Sequence, residues 1–427
     1  MQPLSQRARR RLLIGGLALG LGALPVVMTA AGRPIPHSTT PENDRTAHQV
    51  RDVRVLIGAS LTKFRIRSPG GISVYDSRGQ DIGSITDDDW IIVASKSASS
   101  LTIADGVIRE SNCTIRPTAG EGLLFSRFRK GRWQEEVEYP GILRVKLADN
   151  RSLDVVNELD IERYVACVVA REIWPTFVPA AVRAQAIAAR GYVLYQMRRR
   201  ASADYDVKAT QGSQVYMGLR RDKTGEKAVA ATEYTKGIVC TFNDGGTKRL
   251  FSTYYSAACG GISQSAAIFG EDDDIPPLAG GVRCDFCGIA PGETYRWGPV
   301  KIKLADLYDR MVKRYPDFES LKGIRDIEIV ERGPHGRLVT LRLVGKSGVS
   351  RELSAENVRL AAGADQVRST FCDITLAKKH VTFENGRGFG HGLGLCQWGA
   401  QGQALKGATA AEILRHYYPG SRLTRAY

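Results

Sequence analysis

Short apolar runs alternating with polar residues mark the first interpretable stretch of the chain. Between Arg51 and about Lys146, the runs VRVLIG, FRIRS, ISVYD, WIIVAS, LTIAD and LRVKL are rich in β-branched residues and punctuated by Gly, Asp and Ser. That texture predicts a β-rich region over residues 51–146. The period then changes. In ELDIERYVACVVAREIW the apolar Ile161, Tyr164, Val165, Val168 and Val169 recur at three-and-four spacing, predicting an amphipathic helix that ends near Pro175. The alanine-rich VPAAVRAQAIAARGYVLYQMRRR predicts a second helix from about Pro179 to Arg198. Glu172 falls at the junction of the two, where packing on both sides can hold a residue that still faces a groove. Farther on, RDIEIVERGPHGRLVTLRLVG reads as a hairpin about Gly-Pro-His-Gly, and Thr409 and Glu412 in TAAEILRHYYPG have capping-box spacing at the start of a short helix. The fold class predicted is α+β: a β-rich N-terminal region, then a region over 147–427 with a helix pair and β-hairpins.

The first fifty residues follow a different logic. RARRR at 7–11 precedes LLIGGLALGLGALPVVMTAA, Leu12–Ala31, an uncharged run of about bilayer length. Residues 1–33 therefore read as an export signal or membrane anchor, with attachment through residues 12–31. MTAAG offers a small-residue cleavage site and RRRLLIGG a twin-arginine pattern, so cleaved and anchored forms both fit. GRPIPHSTTPENDRTAHQ, within 34–50, has linker composition. The mature part is expected outside the cytoplasm, in periplasm or cell wall.

Composition adds one constraint. The 427 residues are 43% apolar and 25% charged, enough for a sizeable core, and the net charge of +15 calls for an acidic partner. Nucleic acid, an anionic membrane and a wall polymer all satisfy that charge. The export signal, and the lack of a recognisable nucleic-acid motif, argue against nucleic acid.

Eight cysteines in an exported chain invite disulfides, yet CDFC at 284–287 has the C-x-x-C spacing of a zinc knuckle. The redox reading of C-x-x-C lacks the βαβ surroundings it needs. GRGFGHGLGLCQWGAQG, 386–402, has Gly-x-Gly spacings but neither a following Gly-Lys-Ser/Thr nor room for a βαβ unit. Its glycines are better explained by tight turning and close approach to a ligand or another segment.

Two separated blocks, ERYVACVVAREIWPTFVPAAVRAQAIAARGYVLY and GRGFGHGLGLCQWGAQGQALKGATAAEILRHYYPG, together resemble the SpoIID/LytB family. That family comprises exported cell-wall proteins, among them lytic transglycosylases acting on peptidoglycan glycan strands and amidase enhancers. Weaker likeness through QVYMG, YYSAACGG and the hairpin extends it from about Asp149 to Pro419. The resemblance implies that Glu172, matching the glutamate of a VVAxEMP-like stretch, is the catalytic acid, although Ile173-Trp174-Pro175 stands where Met-Pro is usual. On the residues alone, a glutamate at a helix end most often faces water. The implied chemistry is self-consistent, because one carboxyl can protonate a glycosidic oxygen and then take a proton from the muramyl 6-hydroxyl, provided its pKa is raised.

His391, Gln397 and Trp398 match the family's GHGVGxxQWGA, and Arg190 and Tyr192 its AVAARTY. With Gln214, Tyr216 and Ser256 they are the candidate substrate contacts, in a groove walled by the second helix and the 386–402 loop. Cys259 in AACGG resembles the position of a further zinc ligand beside Cys284 and Cys287, but Ile262 stands where a histidine is usual. The fourth donor is open among Cys396, Cys167, Cys372 and His391. Such a zinc would be structural, with no cofactor for catalysis. The implied partners are glycan strands and a cell-wall amidase.

Overall fold

The computed structural model describes residues 51–427 except 87–88, 98, 105, 109–110, 121, 149–150, 211 and 270–273. The expected export signal, the 12–31 run and the 34–50 linker lie outside the described residues. Among those described, no helix is long and apolar enough to cross a membrane.

The molecule is α+β, and its alternating runs form two sheets. In Ile142–Ala148 every second residue (Leu143, Val145, Leu147) is buried, as the pleat requires when one face is covered. This strand pairs antiparallel with Ser152–Leu159 on one side and Asn112–Pro117 on the other. Ser152–Leu159 in turn pairs with Val53–Leu61. The second sheet is built around Gly122–Arg129, Lys63–Arg67 and Ile91–Ser97. The β-rich region runs past the expected limit at 146, which falls inside a strand, to Leu159. Both sheets and the helices that follow share one core, in which Phe64, Phe125, Val145, Val168 and Ile187 are all buried.

Helix α1 (Ile161–Glu172) starts where the Asp160 side chain accepts from the N–H groups of Glu162 and Arg163. It stops at Glu172 because Pro175 disfavours helix in the residue before it, and Ile173 is already extended. Helix α2 (Pro179–Arg199) opens with proline at its first position and is buried along nearly its whole length, against α1, α3 (Lys223–Tyr234), α6 (Gln397–Leu405) and α7 (Ala410–Tyr417). The capping box expected at Thr409 and Glu412 is present in full at the start of α7.

A second core spans Trp297 to Phe383. It packs α4 (Leu304–Arg314) and α5 (Ala355–Ala362) on the predicted hairpin, Ile324–Arg332 with Leu338–Gly345, which gains a third strand, Ser350–Ser354.

Candidate active site

Glu172 opens onto a cleft of about 990 Å³ whose walls come from both cores. One wall carries the end of α1, residues 210–215 and residues 254–257; the other carries Glu356, Asn357 and Arg359 of α5, with Phe389 to His391 and Gln397 between them. The Glu172 carboxylate accepts from the Val215 N–H at 3.0 Å and from Gln397 Nε2 at 3.3 Å. Among the described residues no cation pairs with it. The neighbouring Arg171 turns away and donates to the carbonyls of Met217 and Leu219. Burial therefore dominates and pushes the Glu172 carboxyl above its ordinary value of 4.5, while hydrogen bonds from Val215, Gln397 and Tyr255 pull weakly the other way.

The departure after Glu172 has a structural reason. Ile173 is buried, and Trp174 packs on Phe177 and Trp398 with ring centroids 5.7 and 5.1 Å away. Gln401 then fixes the turn, accepting from Val178 N–H and donating to Thr176 O. The extra residue is thus absorbed by an aromatic trio, of which Trp174 also lines the cleft.

Of the residues singled out in the sequence, Glu172, Tyr192, Ser256, His391 and Gln397 line the cleft. The Ser256 hydroxyl is buried there and has no hydrogen-bond partner among the described residues. His391 is kept neutral, its pKa pushed down to about 4 chiefly by burial, and its Nδ1 accepts from the Leu393 N–H. Arg190, Gln214, Tyr216 and Trp398 are not on the cleft wall. Arg190 is fully buried in an ion pair with Glu162 at 2.6 Å, tying α2 to α1. Tyr216 stacks between Tyr139 and Tyr164, and Trp398 belongs to the aromatic trio. Gln214 lies one layer behind, accepting from Tyr164 and donating to the Tyr255 hydroxyl, which leaves Tyr255 its own hydrogen to direct at Glu172. Reading the sequence missed Val215, Tyr255, Glu356 and Arg359. A backbone N–H leaves no side-chain signature, and an (i, i+3) Glu–Arg pair on a short helix looks like ordinary surface charge. Burial opposes ionisation of Glu356, but Arg359 at 2.7 Å outweighs it and holds that carboxyl below the usual range.

Cys259, Cys284, Cys287 and Cys396 converge with all four sulfurs within 4.8 Å of one another, every one buried. Cys396 joins because Leu395–Cys396 pairs in parallel with Tyr255–Ser256, just ahead of Cys259. Cys167, Cys372 and His391 lie outside this cluster. The Cys259–Cys287 sulfur separation is 3.8 Å. Sulfurs about 2.3 Å from a tetrahedral zinc stand about 3.8 Å apart, against about 2.05 Å in a disulfide. The Cys396 sulfur accepts N–H groups from Cys259 and Gly399, the kind of support that orients a thiolate ligand. Gly399 is required, since a Cβ there would sit 2.6 Å from the Cys284 sulfur. Arg337, fully buried and without a carboxylate partner among the described residues, donates to the Cys259 carbonyl at 2.6 Å. Its positive charge beside four thiols suits an ion held by thiolates, and the donor set fits a closed structural site. The cluster can hold a metal ion.

Comparison with known proteins followed the same geography. Residues 149–242, which include Glu172, match the family model SpoIID, "Stage II sporulation protein", and residues 290–394 match a domain of unknown function, DUF8618. An uncharacterized protein of Brachyspira hyodysenteriae is 29% identical over 311 residues, covering 70% of this chain and 76% of its own length. Stage II sporulation protein D of Bacillus subtilis is 26% identical over 284 residues, 64% of this chain and 76% of its own. The amidase enhancer of the same organism is 24% identical over 293 residues, 60% of this chain and 40% of its own.

Proposed function

We propose, from the match of residues 149–242 to the SpoIID family model, that this chain acts on the bacterial cell wall as a lytic transglycosylase with Glu172 as its proton-transfer group. The observation carrying the reading is a half-buried carboxyl that, among the described residues, pairs with no cation, on the wall of a cleft large enough for sugar rings. Held protonated, Glu172 donates to the glycosidic oxygen, so the leaving sugar departs as an alcohol while its bond to the muramyl C1 breaks. The muramyl 6-hydroxyl then bonds to C1 and returns its proton to the Glu172 carboxylate. No water enters the balance, and one carboxyl serves both steps. Val215 N–H, Gln397 and Tyr255 fix the carboxyl's position, and Ser256 offers an unspent hydroxyl to a sugar. The four cysteines hold a structural zinc that joins the loops carrying Cys259 and Cys284 to the start of α6. The basic surface and an exported location would bring the protein to an anionic wall polymer.

Two further readings have support. Glu356 is a second, ionised carboxylate on the same cleft, which is what a hydrolase needs to activate water or stabilise a cationic sugar. The similarity to an amidase enhancer supports a non-catalytic glycan binder that recruits a wall amidase. One experiment separates all three. The protein lacking residues 1–33 is incubated with peptide-free glycan strands, and the products are read by mass spectrometry. Anhydro-muramyl ends that vanish in Glu172→Gln are expected; reducing ends would establish hydrolysis, and binding without new ends would leave only the adaptor. Metal analysis of the same preparation, with Cys284→Ser as control, tests the zinc.

A further inference from the structure

Some arginines in the sheets of this protein stand directly opposite carboxylates, as Arg54 does opposite Glu158. On the hairpin, Arg342 lies opposite Glu328 on one side and Glu352 on the other, bonded to both at 2.8 and 2.6 Å. Two arginine pairs stand directly opposite one another instead: Arg129 and Arg132, both exposed beside a tight turn, and a second pair on the wall of a cavity. Arg296 and Arg387 are direct partners in the short antiparallel ladder that joins Arg296–Trp297 to Gly386–Arg387. Directly opposite residues share a face, and like charges in that position repel. Among the described residues neither guanidinium has an ion pair or a side-chain hydrogen bond. Arg296 rests 5.6 Å from the Tyr295 ring, and Arg387 stacks 3.9 Å above Phe371.

The two guanidiniums line a separate cavity of about 360 Å³, with Phe371 and Arg332 among its walls. The carboxylate there, Asp373, is already engaged by Arg332 at 3.3 Å and by the Asn385 amide at 3.0 Å. The cavity thus holds three arginines against one aspartate, and the excess positive charge sits on the two arginines that oppose one another.

We propose that Arg296 and Arg387 form a binding site for an oxyanion carrying two negative charges, phosphoryl or dicarboxylate. Two planar guanidinium forks on the wall of one cavity offer several N–H donors to such a group. The phenyl face of Phe371 keeps Arg387 from folding away, and a bound anion would remove the repulsion across the ladder. The cavity is larger than a lone phosphate, so the anion is expected to be a substituent on a larger molecule. Nothing in this site depends on the glycan reading.

The test uses the full chain without its first 33 residues, with inorganic phosphate and glutarate as separate probes, titrated calorimetrically at fixed ionic strength. Saturable one-site binding of at least one probe below 10 mM is expected, a threshold of about 3 kcal/mol of binding free energy. At least a tenfold weakening is expected in Arg296→Gln and in Arg387→Gln, and none in Arg351→Gln, which removes an exposed cation elsewhere. Phosphate alone binding would assign a phosphoryl group, and glutarate alone a pair of carboxylates. Absence of saturable binding of either probe, or equal loss in Arg351→Gln, overturns the site. Because Arg387 also packs on Phe371, the mostly solvent-facing Arg296→Gln is the decisive variant, and its melting temperature at low salt should be no lower than that of the parent.

Discussion

The two ends of helix α1 each hold a half-buried glutamate, and they treat it in opposite ways. At the N-terminal end, Glu162 meets Arg190, whose side chain is fully buried, and also accepts from the Tyr427 hydroxyl and the Gly237 N–H. Burial opposes its charge, but these donors outweigh burial and hold the carboxyl below its ordinary value. At the C-terminal end Glu172 has, among the described residues, neutral donors only, and burial wins. The same residue type on the same helix is thus a permanent anion at one end and a proton reservoir at the other. What separates them is whether a cation is sealed in alongside.

The largest effect expected from breaking this contrast is on chemistry. Glu172→Gln should cut anhydro-muramyl product formation by about 10²–10⁴-fold, the range for loss of a positioned acid–base group, without lowering the melting temperature. A variant that stays active, or that loses activity only because it unfolds, defeats the assignment. Glu162→Gln should do the reverse. It strands the buried Arg190 charge, costing about 3–5 kcal/mol of stability, while the molecules that remain folded keep their rate. Denaturant melts and single-turnover product counts on the two variants measure both halves.

The pH dependence of stability gives the next effect, and the signs oppose. Glu172 has a raised folded pKa, so the folded state binds more protons than the unfolded one, and stability falls as pH climbs from 4.5 through the folded value. Above that window Glu172→Gln should be the more stable protein, and the advantage should disappear at lower pH. Glu162 has a depressed folded pKa, so its contribution is present above 4.5 and is lost as pH drops through the folded value. Melting curves of both variants against the parent from pH 3 to 8 should therefore diverge in opposite directions. Parallel curves would mean that the two ends of α1 are alike.

Much of this contrast was half-visible in the sequence. Apolar spacing and Pro175 placed Glu172 at a helix junction; the second helix, the hairpin and the α7 capping box formed within a residue or so of expectation, while α1 stops three residues before Pro175. Local pattern suffices there because each element carries its own start and stop chemistry. The partners of a buried charge are another matter. Arg190 and Tyr216 sit in motif-like stretches, yet they brace the helices rather than face the cleft, because bracing and lining residues share the same spacing. The fourth cysteine was ambiguous for a related reason: Cys396 reaches Cys259 through a parallel strand pairing across well over a hundred residues. The α5 wall, with Glu356 and Arg359, comes from the second core and had no local signal at all.

The smallest effect should come from Gln397, and its direction carries the information. Its Nε2 donates to Glu172 at 3.3 Å and toward Gln185 Oε1 at 3.4 Å, long contacts that stabilise the carboxylate only weakly. Gln397→Ala should change the rate by less than about tenfold, in keeping with the roughly 0.5–1.5 kcal/mol of one such bond. Removing a donor to the anion favours the protonated form, so the alkaline limb of the kcat/KM profile, which reports the free enzyme's acid, should move to higher pH. An amide turned the other way would present its oxygen to the carboxyl and accept from the protonated form; deleting it would then move the limb to lower pH. A downward shift would mean that the protein itself supports the proton on Glu172, beyond leaving it without a cation. The contrast between the ends of α1 would then rest on a specific hydrogen bond as well as on burial.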